Sequence, residues 1–343
     1  MSAFNTPLFN RIIVPLSFVS TLAGGVILLK EYKGGRKCPS KEQMKEKVCV
    51  ITGANVGIGK STAEELARRG ATVVMGCRHI GKCERAAREI RMNTENSNVV
   101  CRFIDLADLD SVEEFAGNVR KELPHIDVLI NNAGVMKPRP PKTTPRTKDN
   151  FERQFGVNYL GHFLLTHLLS DKMTNGRVIN LSSEAYSQGE IDINDIDKSK
   201  LDEDDEKLSQ LYYQSKLAVM LFTEALSRKQ SNITVNAVNP GLSSTQIGRH
   251  SKAPIYALGM HIYRPFQWIA MKTPVQAAQT SIYLSVAAEL EKTSGSYFHD
   301  CQEISKVCDL KVCNSKLSDE LWEASEKWTN MRERLNRIKL MGS

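Results

Sequence analysis

The sequence is poor in the features that mark special classes of protein. Gly (21) and Pro (12) are too few in 343 residues for a fibrous or low-complexity chain. The eight cysteines form no CxxC pair, and no histidine stands at ligand spacing among Cys301, Cys308 and Cys313. That argues against a zinc site and a disulfide framework. Buried reduced thiols are expected instead, above all Cys49, Cys77 and Cys101 in apolar strand-like runs. No dense basic block occurs, so the net charge of +7 implies no nucleic-acid partner. Only one uncharged stretch approaches spanning length, which excludes a multi-spanning membrane protein. With 41% hydrophobic and 25% charged residues, the chain is not disordered.

That one stretch, 12–29, reads IIVPLSFVSTLAGGVILL between Arg11 and Lys30. It is expected to attach the protein to a membrane. Lys30, Lys33, Arg36 and Lys37 follow it, ready to meet anionic headgroups and to keep the downstream domain cytosolic. A cleaved secretory signal would call for a disulfide-bearing mature chain. A helix docked into the globular core is the plainer alternative.

From residue 47 the chain alternates strand-like and helical patterns. Strands are expected at 47–51, 71–75, 99–104, 127–131, 177–181, 234–238 and 295–298. Helices are expected at 59–69, 81–91, 109–122, 150–169, 210–229 and 275–288. Val- and Ile-rich strands separated by helices predict a doubly wound α/β parallel sheet of Rossmann type. Two stretches interrupt this rhythm. Residues 188–209 are polar, with DEDDE at 202–206, and read as a solvated loop. Residues 242–271 are too apolar for one, and read as a cap over a pocket or a membrane-touching surface. Near the end, Leu317, Leu321, Ala324 and Trp328 share one face of an amphipathic helix. The expected division is a hydrophobic segment with its basic flank at 1–43, one catalytic domain at 44–302 and a helical extension at 303–343.

TGANVGIG at 52–59 follows the first strand and opens the first helix. Gly53, Gly57 and Gly59 would let a dinucleotide phosphate approach the backbone and the helix N-terminus. The second strand ends in Cys77-Arg78 with no acidic residue to take a ribose hydroxyl. Arg78 can pair with a 2′-phosphate, with Lys60 adding charge at the same corner, so NADP(H) is expected over NAD. Tyr212 and Lys216 stand one helical turn apart, where the ammonium would lower the phenol's pKa. Tyr213 has Leu217 at the same offset and is the weaker acid/base. Ser183 ends the fifth strand, at the edge where such sheets bind ligands.

TGANVGIG, Asn131-Asn132-Ala133-Gly134, Asn158, Ser182-Ser183 and Tyr212 with Lys216 occur in the order of the short-chain dehydrogenase/reductase family, which the chain resembles over roughly 45–300. NYLGHFLLTHLL and YYQSKLA resemble its retinol dehydrogenase branch. The resemblance implies Tyr212 as acid/base, Lys216 on its pKa and the nicotinamide ribose, and Ser183 on the substrate oxygen. Asn158 would anchor a water in a proton relay through Lys216. Gly53, Asn55, Gly57, Ile58, Gly59, Arg78, Asp105, Leu106, Asn132, Tyr212, Lys216, Gly241 and Thr245 would line the cofactor.

The implied activity is NADPH-dependent reduction of a hydrophobic, retinal-like aldehyde and its reverse. Another lipophilic carbonyl and a catalytically silent NADP-binding scaffold are the alternatives. A sugar-nucleotide epimerase would need a larger C-terminal substrate domain than the chain has room for. Implied partners are a lipophilic carbonyl or alcohol and a membrane, with a homodimer left open. The implied compartment is the mitochondrial inner membrane, with the endoplasmic reticulum as alternative. The acidic stretch at 202–206, and Asn239 where the branch often has His, depart from the pattern and leave the substrate open.

Overall fold

The β-branched runs form the strands. β1 (Val48–Thr52) is buried at every residue. β2 (Thr72–Cys77), β4 (Val128–Asn131), β5 (Arg177–Leu181) and β6 (Thr234–Asn239) are buried at nearly every one. Strands with no solvated face need cover on both sides of the sheet. β3 (Val99–Phe103) and β7 (Ser296–His299) complete the parallel part. The order is β3-β2-β1-β4-β5-β6-β7, ending in antiparallel β8 (Gln302–Lys306). It reverses direction between β1 and β4, where Ile51 lies beside Ile130. Open α/β sheets bind ligands at such a switch point. The computed structural model describes residues 14–136, 145–196, 205–242, 271–310 and 314–341.

Helices α2 (Gly57–Arg68), α3 (Ile80–Thr94) and α7 (Pro274–Val286) cover one face, with Leu66, Ile90 and Ile282 in its core. Helices α4 (Leu109–Glu122), α5 (Gly161–Leu169) and α6 (Asp205–Lys229) cover the other, with Phe115, Phe163 and Phe222 in its core. The C-terminal α8 (Ser315–Trp328) and α9 (Met331–Met341) lie outside α5 and α6. Trp322 packs edge-on against Phe163 at 5.4 Å, and Tyr159 Oη meets Ser325 Oγ at 2.7 Å. Arg334 and Arg337 then fasten α9 to Glu113 of α4.

Several expectations need correction. Cys83 of α3 and Cys101 of β3 form a disulfide, with Cα atoms 6.0 Å apart. They sit on a helix and the strand beneath it, so no short spacing advertises the pair. Cys38, Cys49, Cys77, Cys301 and Cys308 are free, and Cys313 lies outside the described residues. The helix expected at 150–169 is a single turn Arg153–Phe155, a π-helical segment Gly156–Leu160 and then α5. The expected loop at 188–209 gives way to α6 at Asp205, and 197–204 lie outside the described residues. Of the expected cap at 242–271, only Leu242 and Met271 are described. β8 was not expected, because QEISK has the polar composition of an exposed edge.

At the N-terminus, α1 (Val14–Lys33) is held at its last turn, where Lys30 donates to the Met271 carbonyl. Along the helix Leu16, Phe18, Val19, Leu22, Ile27, Leu28 and Leu29 are exposed, so it is not docked into the core. Among the described residues, no helix is long and apolar enough to cross a membrane. The expected segment at 12–29 begins outside them.

Candidate active site

The turn between β1 and α2 is shaped by close approach. Gly53 has φ +65°, and a Cβ there would lie 2.9 Å from Ala133 Cα. A Cβ on Gly59 would strike Asn132 Nδ2 and the Gly53 carbonyl. Asn132 Nδ2 donates to the Thr52 carbonyl at 2.7 Å, tying the end of β4 to this turn. Asn55, Gly57 and Ile58 complete the turn and open α2. The result is a bare backbone cradle at a helix N-terminus, and it fits a dinucleotide phosphate.

Arg78 follows β2 directly and is half-buried, with no ion pair or hydrogen bond among the described residues. Lys60 instead pairs with Glu89 of α3, and its hydrogen bond holds that carboxyl below the usual range. Its charge is therefore engaged within the protein, and the expected positive corner reduces to Arg78. Asp105 accepts the Ala107 N–H at 3.0 Å and shapes the loop after β3. Leu106 is buried against Gly161. Gly241 donates to Asn239 Oδ1 at 2.9 Å, so Asn239 closes its own turn. Thr245 lies outside the described residues.

Asn158, Ser183, Tyr212 and Lys216 come together at the carboxyl edge of β4 and β5. Ser183 follows β5, caps the short helix after it and faces the Tyr212 phenol closely enough to favour its ionised form. Lys216 Nζ lies 5.7 Å from the Tyr212 ring centre and donates to the Leu181 carbonyl at 2.9 Å. Asn158 sits in the π-helical segment, where the Gly161 N–H reaches back five residues to the Gly156 carbonyl. Such segments recur at functional sites because they displace one residue from the regular spiral. The Asn158 carboxamide accepts from Val135 N at 2.7 Å, and donates to Val135 O and Ser215 Oγ at 3.0 Å each.

The electrostatics differ from expectation. Burial pushes Tyr212 up to about 12, and the Ser183 hydroxyl pulls the other way. Lys216 does not bring the phenol down, and burial pushes its own ammonium down to about 8. Tyr212 is therefore a protonated acid at neutral pH. His162 is buried between Asn158 and Thr52, and neither its place nor the role of the Thr52 side chain was read from the sequence. Their only signal is His162 one turn beyond Asn158.

A phosphate cradle at the sheet's switch point and a Tyr–Lys–Ser cluster over β5 define a nicotinamide-dinucleotide oxidoreductase. A family profile described as short chain dehydrogenase matches residues 47–194. Mouse retinol dehydrogenase 13 is 46% identical over 323 residues, covering 93% of this chain and 94% of that protein. Mouse retinol dehydrogenase 12 is 41% identical over 315 residues, covering 90% and 94%. The chain belongs to the short-chain dehydrogenase/reductase family, with retinol dehydrogenases among its relatives.

Among solved structures, an uncharacterised protein of Mycobacterium paratuberculosis superposes with TM-score 0.66 at 31% identity, over 86% of this chain and 98% of that one. A Shigella flexneri short chain dehydrogenase complexed with NADP superposes with TM-score 0.58 at 21% identity, over 77% and 100%, which speaks for the fold.

Proposed function

We propose that the protein reduces a lipophilic, retinal-like aldehyde with NADPH, and runs the reverse reaction when the alcohol is in excess. The observation that carries this reading is the gathering of a buried Tyr212 with Lys216, 5.7 Å from its ring centre, and with Ser183 and Asn158 at one edge of the sheet. The nicotinamide, when bound, supplies the hydride to the carbonyl carbon. The C=O π pair then moves onto the oxygen, which takes the Tyr212 proton. The Ser183 hydroxyl orients that oxygen, and Lys216 stands beside the phenolate left behind as the group through which it regains its proton. The proton returns from solvent past Lys216 and Asn158.

Preference for NADPH rests on Arg78 and on the absence of an acid after β2. The names of the retinol dehydrogenase relatives support a lipophilic substrate.

The reading extends to location. The exposed apolar side chains of α1, followed by exposed Lys33, Arg36 and Lys37, suit a helix lying in a lipid surface, with the mitochondrial inner membrane as the proposed site. Because α8 and α9 cover α5 and α6 in the same chain, a homodimer would use another surface.

The test is Tyr212→Phe, which removes the transferable proton and keeps the ring. Turnover of a retinal-like aldehyde should fall by roughly 10²–10⁴ while NADPH still binds. Tyr213→Phe should be much milder. Near-normal turnover by Tyr212→Phe would refute the assignment, and a wild type that binds NADPH without turnover would favour the silent scaffold.

A further inference from the structure

His162 is buried at 3% exposure on a helix with no solvent-facing side, and the chemistry above does not use it. Both ring nitrogens are engaged. Nδ1 lies 3.1 Å from the backbone carbonyl oxygen of Asn158. Nε2 lies 2.8 Å from Thr52 Oγ1. A carbonyl oxygen only accepts, so Nδ1 carries the proton. Burial pushes the ring down to about 4, so it is neutral and Nε2 is an acceptor. Thr52 must then donate to it. The hydroxyl's acceptor capacity is used by the backbone N–H groups of Asn132 and Ala133, each at 3.0 Å. The polarity runs one way, from the turn after β4, through Thr52 and His162, to the Asn158 carbonyl.

Asn158 is where this chain meets the reacting groups. Its carboxamide joins Val135 to Ser215, next to Lys216. A Cβ on Gly134 would lie 3.6 Å from Asn158 Oδ1 and 3.9 Å from Lys216 Nζ, so both groups face the same small space. The π-helical backbone bearing Asn158 departs from regular helical spacing and gains from a lateral tie.

We propose that His162 is a positioning residue for the reaction, its Nδ1–H holding the Asn158 carbonyl and so setting Ser215 and Lys216 under Tyr212. The inference rests on the proposed reaction. It assigns His162 no contact with cofactor or substrate. If His162 is lost, Thr52 can turn its proton to the Ile130 carbonyl at 3.4 Å, so the cofactor turn survives.

The experiment compares His162→Phe, His162→Asn and His162→Gln with the wild type. It reads NADPH affinity, the number of cofactor sites by titration, melting temperature, and kcat per titrated site. Asn places an amide N–H where Nδ1 was and keeps the donor to Asn158. Gln places its amide where Nε2 was and reaches only Thr52. His162→Phe should lose on the order of tenfold to a hundredfold in kcat per site, with NADPH affinity within about threefold of wild type. His162→Asn should recover much of that loss and His162→Gln little of it. If His162→Phe does not fold, the Asn and Gln variants carry the comparison alone. Equal kcat per site in those two would overturn the proposal. So would a His162→Phe whose whole loss is fewer cofactor sites. Tyr212→Phe measured alongside separates the two readings. If it is inactive while His162→Phe is normal, only this inference falls, and if it turns over normally, the reaction reading falls.

Discussion

His167 makes the protein acid-sensitive in a calculable way. Its ring lies among Phe163, Phe222 and Trp322, at 4.3 Å, 6.0 Å and 4.7 Å between ring centres. Nδ1 bonds the Phe163 carbonyl at 2.7 Å, and Nε2 is buried without a partner among the described residues. Burial pushes the ring from 6.5 down to about 4, against smaller opposing effects of the Phe163 carbonyl and Glu326. The unfolded chain therefore binds a proton below 6.5 that the folded chain refuses until about 4. A depressed folded value means the stability is present above 6.5 and drains away as pH falls toward 4. At about pH 5 this one ring costs ~2 kcal/mol relative to about pH 7.5.

His167→Phe removes that cost and keeps an aromatic ring, somewhat larger than imidazole, in the same cluster. Trading an unpaired buried nitrogen for carbon should leave stability at about pH 7.5 within ~1 kcal/mol of wild type. Urea unfolding of both proteins at the two pH values gives the answer. The variant should gain ~2 kcal/mol over wild type on going from about pH 7.5 to about pH 5. His162 titrates in both proteins and cancels in the difference. Parallel losses in the two proteins would refute the reasoning, since the ring would then already have a proton or a water.

The remaining predictions concern cofactor, pH and location. Arg78→Asp should cut NADPH affinity by roughly tenfold to a hundredfold and harm NADH less, and an unchanged ratio in cofactor titrations would remove Arg78 from the 2′-phosphate. Aldehyde reduction should weaken as pH rises through about 8, where Lys216 loses its proton. Lys216→Arg, if active, should carry that limb upward, and a limb that stays in place belongs to another group. The intact protein should sediment with membranes and be freed by deleting residues 14–29, whereas a soluble intact protein would end the membrane reading.

The parallel strands were legible because they are buried on both faces, and Val-Cys-Val-Ile-Thr or Arg-Val-Ile-Asn-Leu has few other uses. Tyr212 and Lys216 were legible because helical spacing puts them on one face and the motifs at 52–59, 131–134 and 182–183 precede them in order. Lys60 was misread because a side chain's partner is set by packing, and Glu89 lies on the next helix. The Cys83–Cys101 pair was invisible for the same reason. The π-helical turn at Asn158 had no signal, since Gly-Val-Asn-Tyr-Leu continues a helical pattern equally well in either spiral. The Tyr212 shift was misjudged because the spacing to Lys216 reports proximity and says nothing of burial, which dominates.

His162 and His167 carry this limit furthest. They stand on the same buried helix, each with Nδ1 on the backbone carbonyl one turn earlier, and each pushed down to about 4 by burial. From sequence they are two histidines in NYLGHFLLTHLL with nothing to rank them. What separates them is the far nitrogen. At His162 it meets Thr52 of the cofactor turn, so the ring links two parts of the site. At His167 it meets aromatic rings and, among the described residues, no hydrogen-bond partner, so the same chemistry yields only packing and a stability that fails in acid. A neutral buried imidazole has one donor and one acceptor to place. Whether it serves the site depends on what the fold puts opposite its second nitrogen, and here that is decided by β1, more than a hundred residues earlier in the chain.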